Sequence, residues 1–328
     1  MMDASRLFSE FDSAIRLSES KIQKLEKARD ALREKIRKYF EEHEWETPKF
    51  HSQGSFPLRT NLNPIKKKTE DGDIKEEYDL DDGVYIICSE KERKQPATYH
   101  DRIYNAVDGH AKSVMDKATC VRVVYADGHH IDLPCYWLAK NGDTPQLAHK
   151  SKGYIESDPR AFKKWVDSKI SDVNSGGQLR RTIRYLKAWK DFRETQNVSL
   201  RLPSGFILTI LACQNFAKDS REDLAFKNTV QQILDSLDYN FSCYRPTVPT
   251  DEDLLEVYSK EVVLGEFAKM LDRAEKALEA DSEISASEYW RKIFGDRFPL
   301  GKDGTPLRAT SEGGNTVRIG VTKPWQSR

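Results

Sequence analysis

The stretch Tyr78-Asp79-Leu80-Asp81-Asp82-Gly83-Val84-Tyr85-Ile86-Ile87-Cys88 constrains this chain more than any other. Val84 to Cys88 is β-branched and aromatic without Gly or Pro, the composition of a buried strand, and extending it backwards carries the acids onto its leading end. Side chains two apart share a strand face, so Asp79 and Asp81 point the same way, roughly 6 to 7 Å apart at the backbone. Two carboxylates on one face of a half-buried sheet repel, and are costly to desolvate unless a cation lies between them. Mg²⁺ suits such a pair, because it prefers oxygen and commonly takes one or two carboxylates plus substrate phosphates. The alternative is a solvated turn, since Asp-Asp-Gly is also ordinary turn chemistry.

Two further segments favour the cation. Upstream, Lys49 to Gln53 has strand character and leads into Gly54-Ser55 and a short helical turn. A Gly there lets a phosphate approach the backbone, and free N–H groups with a Ser hydroxyl can hold its oxygens. Downstream, Cys120 to Pro134 reads as two strands joined by Asp127-Gly128. Asp132 lies on the second of these, between Ile131 and Leu133, where a carboxylate without a partner is unfavourable. Its partner is either a shared cation or a Lys or Arg at a sheet edge.

A chain of 328 residues, 38% hydrophobic and 32% charged, fits a soluble globular protein with one large or two modest cores. No apolar stretch approaches 18 residues and no charged-then-apolar leader is visible, so neither a membrane span nor a secretory signal is expected. Five scattered cysteines without a Cys-x-x-Cys pair point to reduced thiols in a cytosol. Zero net charge argues against bulk attraction for long nucleic acid.

In chain order, Ser5 to about His43 reads as one long helix, with Phe8, Phe11, Ile15, Ile22, Leu25, Leu32, Ile36 and Tyr39 mostly at three- and four-residue spacings. A coiled-coil seam is interrupted by Ser18 and Arg29, which favours a helix laid across its own chain. Asn63 to Asp73 reads as a mobile loop at the mouth of the site, and its Lys66 to Lys68 either touch phosphates or form a solvated face. Tyr99 to Ala118 has helical spacing and is placed behind the sheet. Beyond the loop Lys140 to Pro145 the chain turns helical, with Ser157-Asp158-Pro159 as a helix start. On the helix from Gln178 to Glu194, Leu179, Ile183, Leu186 and Trp189 form an apolar stripe, and Arg180, Arg184 and Lys187 line an adjacent one. Like charges so spaced repel, and either an anion such as a triphosphate or plain solvent relieves them. Ser204 to Phe216, Arg221 to Leu237, Asp253 to Tyr258 and Val262 to Leu278 are further helices, and Val317 to Val321 in the tail resembles a strand.

The set Gln53-Gly54-Ser55-Phe56, Asp79-Leu80-Asp81-Asp82-Gly83 and His130-Ile131-Asp132-Leu133-Pro134 resembles the polymerase-β-type nucleotidyltransferases of the cGAS/DncV-like (CD-NTase) group. Within the group it is similar to the cyclic-dinucleotide synthases of bacterial anti-phage (CBASS) operons. Glu156 to Pro159, Leu186 to Asp191 and Phe294 to Arg297 follow in the same order, so the resemblance runs from about Phe50 to about Phe298. It implies an α+β fold: a nucleotidyltransferase lobe with a mixed sheet and helices (46–150), a helical second lobe (151–300), a long N-terminal spine helix bridging them (1–45) and a C-terminal tail (301–328). It further implies that Asp79, Asp81 and Asp132 are catalytic and bind two Mg²⁺ ions, with Mn²⁺ as a substitute. Gln53, Gly54, Ser55, Arg122, Arg184 and Lys187 are the implied nucleotide and phosphate contacts, and Leu58, Ser157 and Asp158 lie near a base. At Leu58 the chain departs from the pattern, because a synthase of this group carries Tyr there.

The implied activity joins ATP and GTP, with loss of pyrophosphate, into a cyclic di- or trinucleotide messenger, made in the cytoplasm, that activates an effector protein under a regulatory CBASS partner. Neither a membrane nor long nucleic acid is an expected partner. Transfer of a single nucleotide to RNA or protein, and a catalytically silent nucleotide-binding scaffold, are the alternatives.

Overall fold

The computed structural model describes residues 1–68, 74–142 and 144–302. Helices α1 (Ser5–Ile15) and α2 (Glu19–Glu42) precede strand β1 (Lys49–Gln53), the single turn α3 (Ser55–Leu58) and a small ladder of β2 (Lys67–Lys68) with β3 (Ile74–Lys75). Then come β4 (Asp79–Cys88), α4 (Pro96–Val107), β5 (Ser113–Asp116), β6 (Cys120–Val124), β7 (His130–Ala139), β8 (Gln146–His149) and β9 (Gly153–Glu156). The rest is helical: α5 (Pro159–Asp172), α6 (Gln178–Gln196), α7 (Gly205–Asn215), α8 (Glu222–Tyr239), α9 (Lys260–Glu279) and α10 (Glu283–Phe294). The sheet runs β1-β4-β7-β6-β5, with the β8–β9 hairpin joined to the far end of β7. Among the described residues only β4 and β7 pair in parallel, so the sheet is mixed, as expected for an α+β lobe.

The N-terminal helix expected over residues 5–43 is two helices. The loop after α3 separates them: Arg16 bridges Leu62, the Asn63 N–H donates to the Ile15 carbonyl at 2.7 Å, and Asn63 Oδ1 accepts from the Ser18 N–H. Each half then joins its own core. Leu7, Phe8, Phe11 and Ile15 of α1 pack in the helical lobe, where Phe8 meets Tyr185 and Trp290 edge-on at 5.1 and 4.8 Å. Leu25, Leu32, Ile36 and Phe40 of α2 cover the sheet beside Tyr99, Ile103 and Val107 of α4.

Three other expectations are corrected. The helix placed at 99–118 ends at Val107; Gly109 follows at φ +69°, and Ser113–Asp116 becomes edge strand β5. Asp253 to Tyr258 is a turn, with Asp253 accepting from the Cys243 and Leu255 N–H groups. The sheet lobe continues past position 150, because β9 pairs with β8. Residues 69–73 of the expected loop and the tail from 303, including Val317 to Val321, lie outside the described residues. All five cysteines are buried and unpaired, and among the described residues no helix is long and apolar enough to cross a membrane.

Candidate active site

One row of side chains crosses the sheet. Gln53 on β1 is opposite Asp81 on β4, Asp81 is opposite Asp132 on β7, and Asp132 is opposite Arg122 on β6. Partners in register share a face, so these four stand together, with Asp79 two residues back on the same face as Asp81. The alternation puts Leu80 and Asp82 on the reverse face against α2, where Arg33 grips the fully buried Asp82 through Nε and Nη2 at 2.7 and 2.6 Å. Ser52 Oγ donates to the same carboxylate at 2.9 Å, tying β1 to β4 directly beneath the acids.

The acids crowd one another. Burial pushes the Asp81 carboxyl well above the usual carboxylate range, and the charges of Asp79 and Asp132 push it further, while Arg122 opposes them. Gly54 sits against this group at φ +69°; a Cβ there would lie 2.4 Å from Asp81 Oδ2. Glycine is therefore required by the approach of a carboxylate as well as by its backbone angle.

Across the cavity, α6 brings three cations with three different fates. Lys187 is half-buried and donates from Nζ to Thr60 Oγ1 and the Thr60 carbonyl at 3.0 and 3.3 Å. Burial lowers its pKa to about 8, against the pull of Asp79 and Asp191. Arg184 turns inward, pairing with Asp12 of α1 at 2.6 Å and donating to the Arg59 carbonyl at 2.8 Å. Arg180 pairs with Asp167 of α5 at 3.2 Å. The like-charge strain expected on this helix is relieved by acids of the protein at two positions, leaving Lys187 to the cavity.

Both sets meet in a cavity of about 530 Å³, within the size range of small-ligand sites. Gln53, Gly54, Ser55, Leu58, Asp79, Asp81, Ser157, Asp158 and Lys187 line it; Asp132, Arg122 and Arg184 stand outside the lining. Asp158 also caps α5, accepting from the Arg160 and Ala161 N–H groups, so its expected capping role is present alongside its exposure to the cavity. Tyr136, Lys163, Phe206 and Arg245, together with Lys190 and Asp191 of the Leu186–Asp191 segment, line the same space without having been expected there. Tyr136 could have been found, since it follows Asp132 by two strand periods on the site face, and its hydroxyl accepts from Gln53 Nε2 at 3.0 Å. Lys190 and Asp191 fall one turn beyond Lys187, whereas Phe206 and Arg245 are brought in only by the packing of α7 and the chain after α8.

The donor set fits a hard cation in kind: acid oxygens converge on one sheet face, and Asp79 and Asp132 add to the cost of ionising Asp81. Their present arrangement is open, because Arg122 holds Asp132 through two contacts of 2.6 Å, and among the described residues no three Asp, Glu, His or Cys side chains are grouped to hold an ion.

A mixed sheet with two acids on one strand and a third on its parallel neighbour, faced by a helical lobe that delivers a lysine, is the fold of the polymerase-β-type nucleotidyltransferases. Residues 48–136 match the family described as the nucleotidyltransferase domain of DncV-like cyclic GMP-AMP synthases. A cyclic GMP-AMP synthase of Escherichia albertii is 26% identical over 199 residues, covering 58% of this chain and 42% of that protein, so the match spans less than half of the relative's length. The crystal structure of Vibrio cholerae DncV cyclic AMP-GMP synthase with nonhydrolyzable GTP superposes with a TM-score of 0.76 at 17% identity, covering 91% of this chain and 97% of that one. The Bradyrhizobium diazoefficiens CD-NTase CdnG in complex with GTP gives a TM-score of 0.69 at 18% identity over 90% of this chain and 95% of that one.

Proposed function

We propose that this protein is a Mg²⁺-dependent nucleotidyltransferase that joins and cyclises nucleoside triphosphates, ATP and GTP among them, into a cyclic di- or trinucleotide messenger for anti-phage defence. The observation that carries the reading is the Asp81–Asp132 register beside Asp79 and Gly54, opening on a cavity that also holds Lys187. The names of the relatives, cyclic GMP-AMP synthases, supply the substrate class.

Asp79 and Asp81, with Asp132, are the residues to hold two Mg²⁺ ions; bound there, the metal would neutralise triphosphate charge and acidify a ribose hydroxyl. Ser55 and Lys187 steady the β- and γ-phosphates. The ribose oxygen forms its bond to the α-phosphorus as the bond to the bridging oxygen breaks, pyrophosphate leaves, and Asp132 takes up the hydroxyl proton. Repeating the step within the cavity on the linear intermediate closes the ring. The product acts on an effector protein in the cytoplasm, and a CBASS partner regulates the enzyme.

The test incubates purified protein with Mg²⁺ and all four α-labelled nucleoside triphosphates, then phosphatase, beside Asp79→Asn/Asp81→Asn. A phosphatase-resistant product absent from the double variant supports the cyclase and reveals its bases. Pyrophosphate release with only linear or acceptor-attached label replaces it with single-nucleotide transfer. No turnover in the presence of the regulatory partner leaves a silent nucleotide-binding scaffold.

A further inference from the structure

The cross-sheet row ends in a cation that the chain supplies itself. Arg122 Nε and Nη2 donate to Asp132 Oδ1 and Oδ2 at 2.6 Å each, in the fork geometry that makes arginine–carboxylate pairs strong. Asp132 is buried, and the guanidinium retains 26% of its side-chain exposure. Both oxygens of Asp132 are thus engaged towards β6, while Asp79 and Asp81 stand on β4 on its other side. The positive charge also eases the burden that Asp132 places on Asp81.

We infer that Arg122 is the resident counter-ion of Asp132 and gates the cation site: a divalent ion completes its oxygen shell at Asp132 only as the guanidinium lets go. The released guanidinium then needs a new anion, and a triphosphate arriving with the ion provides it. Metal and nucleotide therefore bind cooperatively, each removing part of the cost of the other. This inference rests on the nucleotidyltransferase reading of the acids. Arg122 then acts through Asp132 before the ion binds and on the triphosphate afterwards.

Mn²⁺ binding, read by electron paramagnetic resonance without turnover, tests it. The wild type is expected to bind Mn²⁺ weakly alone and more tightly with a nonhydrolysable nucleoside triphosphate. Arg122→Gln should tighten nucleotide-free binding by about tenfold or more, the scale of one charged hydrogen-bonded contact, and reduce the nucleotide's benefit. Arg122→Lys, which keeps the charge but loses the fork, should fall between. Adding Asp132→Asn to Arg122→Gln should erase the gain; a gain that survives would show a general charge effect and overturn the gate. Unchanged or weaker Mn²⁺ binding in folded Arg122→Gln overturns it as well. If the glutamine variant fails to fold, the wild-type titration decides: binding of Mn²⁺ and nucleotide without mutual enhancement overturns the gate. Asp79→Asn separates the two levels. Unaltered Mn²⁺ binding in that variant removes the metal reading of the acids and the gate with it, whereas lost binding there with no gain in Arg122→Gln removes the gate alone.

Discussion

The two walls of the cavity are charged by different means. On the sheet wall, strand alternation and register put Asp79, Asp81 and Asp132 together, and nothing short of a register slip could separate them. On the helical wall, Arg180, Arg184 and Lys187 are spaced as regularly, yet only Lys187 reaches the cavity, because acids from α1 and α5 take the other two. Side chains on a strand are compared with immediate neighbours across the ladder, whereas the meaning of a helix face depends on which distant elements pack against it. Chemistry on the sheet is therefore local, and chemistry on the helix is assigned by tertiary structure.

The sharpest break in this comparison is Asp81→Asn. Activity should fall by about a thousandfold or more, the scale of losing a group that stabilises developing charge. Stability should move the other way. The folded-state pKa of Asp81 is raised, so its ionised form opposes folding, and that cost grows as pH rises above the unfolded-state value. Thermal unfolding at neutral pH should thus show a higher Tm for the variant, with the difference vanishing in acid; a lower Tm would mean that the carboxylate holds the sheet together.

Next in size is Arg184→Ala. Removing one member of the buried Arg184–Asp12 pair leaves a buried carboxylate alone and should cost about 3 kcal/mol, measured by denaturant unfolding. It also frees the Arg59 carbonyl beside Thr60, loosening the loop that follows Ser55 and Leu58. A variant of unchanged stability but much weaker nucleotide binding would restore Arg184 to the phosphate contacts and erase the difference between the walls.

The same contrast explains what could be read from the sequence. The β4 strand, the Asp127-Gly128 hairpin and the placement of Asp79, Asp81 and Asp132 follow from period-two patterning and turn chemistry, which operate over a few residues. The break between α1 and α2 was hidden because Asn63, far away in the chain, causes it; Ser18 was its only local trace. Asp82 looked like part of the acidic motif, and only the position of Arg33 on α2 reveals a structural tie. Arg122 was suggested as a phosphate contact, but its pairing with Asp132 needs the β6–β7 register to be known residue by residue. Phe206 and Arg245 carry no pattern of their own, since ordinary core and loop positions become cavity wall only when the helical lobe closes.

Lys187 gives a smaller effect with a definite pH sign. In the folded chain it titrates near 8, so it is cationic below that value and neutral above. Its lowered pKa means that the half-buried ammonium opposes folding at neutral pH, and stability should rise between about 8 and the ordinary 10.5. On the proposed role of Lys187 the triphosphate needs the cation, so affinity should be about tenfold weaker at pH 9 than at pH 7. Isothermal titration calorimetry should show this slope in the wild type and a flat profile in Lys187→Arg. A flat wild-type profile would mean that the ammonium does not meet the phosphates.

The smallest expected effect tests the comparison from the other side. Arg180→Ala removes a pair in which each side chain is about one-third exposed, and such pairs contribute about 0 to 1 kcal/mol. Asp167 keeps Lys163 at 2.5 Å, so no acid is stranded, and a buried Nε without a partner is removed along with the arginine. Stability should therefore change by less than about 0.5 kcal/mol and triphosphate affinity by less than about twofold. Any small loss of affinity should arise through Lys163, which lines the cavity and is drawn closer to Asp167 once its competitor is gone. A tenfold loss that Lys163→Met does not reproduce would put Arg180 itself on the phosphates, and the helical wall would then present its charges as directly as the sheet does.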